Sequence, residues 1–280
     1  MVEMDIARKA HWGAVSIKSY ILDRRDQRQW VVEAARKHGV NVTSESGNLS
    51  LNLSHFMDGY TGMEHGVFGS GLMAYDDAVQ FLAQSGSNAS TTFGVQGPGP
   101  MSEDYFITET EVWKDAKLRR WLPWRYYQPL LRRAIERPKT DYGFPMLAES
   151  IKALVEGGGL ASVGGHGDLH GLSTHWEIWM LAEAMAPLDA LEIATLGGAR
   201  YIGVGSELGS LEQGKIADIL VLNKNPLEDI HNTTDIKYVM KGGVLYDGDT
   251  LDEVWPEQKP YGAMPWIQKA ALQSNTLPVD

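Results

Sequence analysis

Cysteine is absent from the 280 residues, which excludes disulfides and thiolate metal ligands and leaves the redox compartment open. Net positive charge is absent too. Against 25 lysines and arginines stand 36 aspartates and glutamates, a formal charge of −11, so no basic surface invites nucleic acid or an anionic membrane. No apolar run approaches the roughly 20 residues that cross a bilayer. The opening MVEMDIARKAHWG carries acids and no apolar core, unlike a secretory signal, so the compartment (cytoplasmic or periplasmic) stays unassigned. No GxGxxG follows a strand-like run and no GxSxG occurs, which speaks against a glycine-rich phosphate site and against a serine acyl hydrolase. What is present is ample core material: 43% of the residues are hydrophobic, enough for one large or two smaller domains.

The most informative stretch runs from Gly157 to Ile230. LASVGG (160–165) is a short apolar run between glycines and reads as a buried strand. HGDLHGLSTH (166–175) follows as a loop with three histidines and an aspartate. WEIWMLAEAMA (176–186) and PLDALEIATLGGARYIG (187–203) carry helical patterns, the second opened by Pro187 and loosened by Gly197-Gly198. Upstream, residues 1–12 read as helix, and AVSIK (14–18), VNVTSE (40–45), YTGMEHG (60–66) and NASTTFGVQ (88–96) as strands. Between them lie helical patterns at 23–39, 48–59, 75–86 and 144–158; in the first, Trp30, Val31, Val32 and Ala35 form the apolar face. Residues 97–140, dense in Trp, Tyr and Arg, break the rhythm as either a helical excursion packing its own aromatics or a substrate-recognition lid. Strand–helix alternation of this kind implies a parallel sheet with right-handed crossovers. Lys18, Glu45, His65 and His166 close successive strands, which puts them on one side of such a sheet.

ATLGGAR (194–200), GSLEQGKIADILVL (209–222), NPLEDI (225–230) and VMKGGVLYDGDTLDE (239–253) together resemble the closing signature of the amidohydrolase superfamily of metal-dependent hydrolases, its prolidase-like and TolB-associated members included. The resemblance implies an α/β fold: a partial TIM-like (β/α)8 barrel, units four to eight, over 1–200, without its N-terminal strands. Residues 201–280 would then be the C-terminal part of a small composite β-sandwich domain and a tail. It further implies hydrolysis of a C–N bond, amide or dipeptide-like, by water activated on a divalent metal, zinc in the first place. The chain would be the C-terminal portion of a longer enzyme. The alternative is a catalytically inactive barrel half that needs another chain to complete it.

Carried over residue by residue, Lys18 stands at the place of the bridging lysine and Glu45 where the family has a histidine after strand five. His65, in GMEHG, matches the histidine after strand six. His166, in VGGHG, stands where an aspartate usually closes strand eight and would be the fourth metal ligand; with Asp168 two residues on, one of these two would accept the proton. The HxH pair of the family's first strand is missing. From the residues alone, a lysine closing an apolar strand must be neutralised, modified or snorkelled to solvent. His65 is a ligand or a hydrogen-bonded core histidine, and Glu45 an oxygen ligand or an ordinary strand-end acid. One of His170 and His175 faces substrate or supports a ligand, unless His175 caps its helix beside Thr174. His11, His38, His55 and His231 fall at helix ends or exposed turns and take no role. Sheet edges at 14–18 and 160–165 would be apolar and bare, so the expected partner, besides a small or peptide-like substrate, is a second copy or a missing N-terminal half.

Overall fold

Five short, mostly buried runs separated by helical patterns decide how the chain folds. In the computed structural model, which describes residues 1–67 and 75–262, these runs form one sheet. Its strands are β1 (Ser16–Lys18), β2 (Asn41–Glu45), β3 (Gly62–Glu64), β4 (Asn88–Thr91) and β5 (Leu160–Val163). They lie in chain order with every neighbouring pair parallel. Residues paired across parallel strands share a face. Ile17, Val42, Met63, Ala89 and Ala161 therefore all point to one side, where they are buried against helices. Lys18, Thr43, Glu45, Gly62, Glu64, Asn88, Ser90 and Ser162 point to the other.

The helices are α1 (Val2–His11), α2 (Arg25–Lys37), α3 (Leu49–Asp58), α4 (Asp76–Ser85), α5 (Ser102–Glu109), α6 (Ala116–Trp121), α7 (Trp124–Tyr127), α8 (Phe144–Glu156), α9 (His170–Leu181), α10 (Pro187–Glu192) and α11 (Gly198–Tyr201). The crossover helices α2, α3, α4, α8 and α9 touch in succession. A sheet order that never reverses winds them all the same way, so they cover one face and no topological switch point arises.

One expectation is corrected and another refined at this level. Trp30 is 49% exposed, because the buried face of α2 runs through Arg28, Val32 and Ala35. Arg28 is tolerated inside because Leu22 O, Asp23 O, Ser54 and Asp58 use up its guanidinium. His55, in the last turn of α3 and assigned no role from the sequence, is fully buried and hydrogen-bonded. It shares the inner face of α3 with Asn52 and Phe56, reaching Ser44 Oγ at 3.1 Å and Leu51 O at 2.8 Å.

The 97–140 segment folds as α5, α6, α7 and short 3-10 turns that bury Phe106, Val112, Tyr127 and Leu130, with Phe106 stacked on Trp176. It is a helical excursion packing its own aromatics into the common core. Helix α9 begins at His170, six residues before the apolar pattern does, since Leu169 O already accepts the amide of Ser173. The loop after β5 is correspondingly short. Between α10 and α11 the chain makes a π turn, Ile193–Gly197, pressed so closely on β5 that a Cβ at Gly197 would sit 2.4 Å from Ala161 O.

Downstream, β6 (Ile219–Leu222), β7 (Ile236–Lys241), β8 (Val244–Asp247) and β9 (Glu253–Trp255) form a single antiparallel meander. Gly242 and Gly243, both at positive φ, make the two-residue turn between β7 and β8. Trp179 Nε1 donates to Thr233 Oγ1 at 2.9 Å, tying α9 to the segment before β7. The expected tail from 263 to 280 lies outside the described residues. Among those described, no helix is long and apolar enough to cross a membrane.

Gly62 makes room for an aromatic ring, since a Cβ there would lie 2.2 Å from the ring of Tyr201. Gly62→Ala is expected to destabilise the protein by about 1–3 kcal/mol, the usual cost of overpacking, read as a lower urea midpoint with an unchanged m value.

Candidate active site

At the C-terminal end of the sheet three side chains of different chemistry meet. Lys18 Nζ and His65 Nε2 each lie 2.9 Å from Glu45 Oε2. Strand pairing dictates this. Glu45 is in register with Glu64, which puts His65 just beyond it, and Lys18 closes the strand on the other side. His65 itself is left-handed, with φ +67, a conformation that costs a non-glycine residue energy and persists where its surroundings enforce it. Here Ser46 Oγ donates to its carbonyl, and the following Gly66 amide donates to Ser90 O. Thr92 Oγ1 engages Nδ1 at 2.9 Å, leaving Nε2 to face Glu45. Burial pushes the His65 pKa down; Glu45 opposes this, while Lys18 and His166 add to it. The imidazole is thus kept neutral, the form that ligates metals or takes a proton.

His166 reaches the same place from the loop after β5. Its ring is edge-on to His65, centroids 5.1 Å apart, and its Nδ1 accepts the Gly167 amide at 2.7 Å. Lys18, Glu45, His65 and His166 therefore form one contiguous group. Asp168 goes elsewhere: it is mostly exposed and its carboxylate is held by Arg133. His170 and His175 make no hydrogen bond, ion pair or ring contact with the group, and His175 sits inside α9 rather than capping it.

Whether these donors suit a divalent metal turns on Glu45 Oε2. It is shut off from solvent and accepts no aligned hydrogen bond, although an amine and an imidazole lie within 3 Å. An unsatisfied anionic oxygen beside a neutral imidazole nitrogen is the donor chemistry such ions take. The fit is that of a partial set. Among the described residues no three of His, Cys, Asp and Glu form a group that could hold a metal ion.

Two supporting networks escaped the sequence reading. Beneath the group, Thr43 Oγ1 and Tyr201 OH both donate to Glu64 Oε1, at 2.9 and 2.6 Å. Burial and the Glu64 charge raise the Tyr201 phenol far above its usual range, so it stays a donor. The only sequence signal was the glycine two residues before Glu64. Beside the group, fully buried Glu103 accepts the amides of Asp168 and Leu169 at 2.9 and 3.3 Å, while Arg133 binds Glu103, Asp104 and Asp168 together. The helical excursion thereby fixes the loop that carries His166. Nothing periodic marks either partner.

A parallel, singly wound α/β sheet with titratable side chains gathered at its strand ends is the arrangement in which α/β enzymes place their reacting groups. Residues 171–246 match the sequence model of the amidohydrolase family. Ochratoxinase from Aspergillus niger is 38% identical over 68 residues, 23% of this chain and 14% of that protein. 5-Methylthioadenosine/S-adenosylhomocysteine deaminase from Syntrophomonas wolfei is 38% identical over 64 residues, again 23% of this chain and 14% of the relative. A prolidase solved with N-methylphosphonate-L-proline superposes with a TM-score of 0.62 at 18% identity, covering 88% of this chain and 58% of that one. The solved ochratoxinase gives 0.60 at 18%, covering 96% and 56%. At such identities the superpositions speak for the fold, and the chain spans little more than half the length of these structures. The matched stretch thus resembles the amidohydrolase family over 171–246, and the superpositions give the chain the fold of these structures.

Removing the arginine that fixes the loop should be costly. Arg133→Ala leaves Glu103 buried without its cation, and about 3 kcal/mol of stability should be lost on chemical denaturation. A second expectation concerns two titratable groups of α9. Burial raises Glu177 to about 7, against a partial offset from the Gly94 amide, and lowers His175 to about 4 with help from Lys117. An acid raised from 4.5 to about 7 costs stability as pH climbs through that window, about 3 kcal/mol in full. A histidine lowered from 6.5 to about 4 costs stability as pH falls through that window. The two slopes oppose each other between about pH 4.5 and 6.5. Denaturation across pH 4.5–7.5 should show Glu177→Gln gaining stability with rising pH relative to the parent, and His175→Gln losing it.

Proposed function

We propose that the chain carries part of the active site of a metal-dependent hydrolase acting on a C–N bond, with an amide or dipeptide-like substrate. One observation carries the reading: amine, carboxylate and neutral imidazole converge at Lys18, Glu45 and His65, at the strand ends of a chain that resembles the amidohydrolase family. Residues 1–200 are read as units four to eight of a (β/α)8 barrel, supported by a strand order that runs on without reversal. Residues 201–280 are read as part of a small β-sandwich and a tail, supported by the four-stranded meander at 219–255.

Glu45 and His65 would hold the ion, zinc in the first place, with His166 at its side and Lys18 joining them only once its amine has lost the proton that now pairs it with Glu45. When bound it supplies Lewis acidity and a water acidified to near neutrality. The protein's own groups do the rest. Thr92 orients the His65 ring through Nδ1, and the Lys18 ammonium balances the Glu45 charge. His166 would take the proton at Nδ1, which first requires the ring to give up the hydrogen bond it accepts there from the Gly167 amide. Glu103 and Arg133 keep the His166 loop in place, and Asp168, bound to Arg133, serves that positioning rather than the proton transfer.

A second reading, a barrel half without activity of its own, is favoured by the missing third His, Asp or Glu donor among the described residues. Zinc titration and an Xaa-Pro dipeptide assay separate the two. The 280-residue chain should bind zinc weakly, lose that binding in Glu45→Gln and His65→Ala, and show no turnover, whereas a form extended upstream should do both. Zinc binding indifferent to both substitutions would overturn the metal assignment. Stoichiometric zinc with dipeptide turnover by the 280-residue chain would overturn the second reading.

A further inference from the structure

On the outer side of the helical layer lies a cavity of about 250 Å³, lined by Tyr105, Phe106, Glu109, Trp179, Glu183 and His231 among others. It belongs to the far part of α9: Trp179 is nine residues beyond the helix start, about 13 Å at 1.5 Å per residue. It is therefore separate from the group at the strand ends.

Its walls are largely rings, two of whose polar atoms are already engaged. Trp179 Nε1 is bound to Thr233, and His231 Nδ1 to Asp229 at 2.7 Å, with the two rings 4.5 Å apart. What they offer the cavity is aromatic surface. The charged groups in its lining, His231 aside, are the carboxylates of Glu109 and Glu183. Glu183 is paired with Lys139 Nζ at 2.5 Å, and that same ammonium lies 5.6 Å from the centre of the Phe144 ring. The fold thus already holds one ammonium between a carboxylate and a ring at this rim. Glu109 has no ion pair among the described residues. Besides burial, the charges of Glu109 and Glu183 both raise the Tyr105 phenol, so their field falls on the cavity wall.

A ring-walled cavity with one uncompensated negative charge at its mouth suits a cation that sheds water easily. We infer that this cavity is a binding site for a small alkylammonium cation, held against the wall formed by the touching Trp179 and His231 rings and by Tyr105, with Glu109 as counter-ion. The volume lies below the range of drug-sized ligand sites, which limits the occupant to a headgroup of choline's size.

The test uses choline and its neutral isostere 3,3-dimethylbutan-1-ol, titrated calorimetrically into the 280-residue chain at pH 8 and low salt. Choline should bind at about millimolar strength and about tenfold more tightly than the alcohol, as a desolvated cation–ring contact requires. Glu109→Gln, an exposed change that the fold will bear, should weaken choline about three- to tenfold and leave the alcohol unaltered. His65→Ala should bind choline like the parent, so failure of the hydrolase reading and failure of this one are told apart. Equal affinity for the two compounds, no choline binding, or an unchanged affinity in Glu109→Gln would each overturn the assignment.

Discussion

Residues paired across parallel strands point the same way, and most of this structure is a consequence of that. The pairing sends Ile17, Val42, Met63, Ala89 and Ala161 into the helical layer and leaves the opposite face to Lys18, Thr43, Glu45, Glu64, Asn88 and Ser162. Polar side chains gathered on one face must satisfy one another. They do so in steps: Asn88 donates to Ser162, Thr43 and Tyr201 donate to Glu64, and Glu45 is matched by Lys18 and His65. The group at the strand ends is the uppermost of these pairings, and Glu45 Oε2 there, like Asn88 Oδ1 below it, is left without an aligned donor.

The strand–helix rhythm was legible because period two and period 3.6 leave different marks on a sequence. So was the convergence of Lys18, Glu45, His65 and His166, since each closes a strand. Trp30 and His55 were not, because which arc of a helix faces inward depends on what it meets; Arg28 earns its place inside through partners on α3 and the preceding loop. The start of α9 was hidden by polar residues in its first turns. The supports of the site were hidden for a different reason. Tyr201 and Glu64 are 137 positions apart, and Glu103 and Arg133 are 30 apart, so no local pattern couples them.

The residues that carry the family resemblance are not the ones that gather at the strand ends. The matched signature begins at 171, whereas Lys18, Glu45, His65 and His166 all precede it. The signature preserves turns and a close approach of backbone to backbone: Gly197 against Ala161, Gly209 against Leu196, Gly242-Gly243 at a hairpin. Such constraints belong to the scaffold and tolerate little change whatever the site above it does.

Arg133 and Glu103 meet at 3.1 Å, which closes the helical excursion into a loop whose two ends touch. For a closed loop, length is inexpensive: doubling it adds only about 0.6 kcal/mol of closure entropy. Descendants of this chain can therefore lengthen, shorten or re-sequence the exposed part of the excursion around Trp124 and Tyr126 while the Glu103–Arg133 contact keeps His166 where it stands. The contact acts as a boundary between a part of the protein free to diversify and a part that is not.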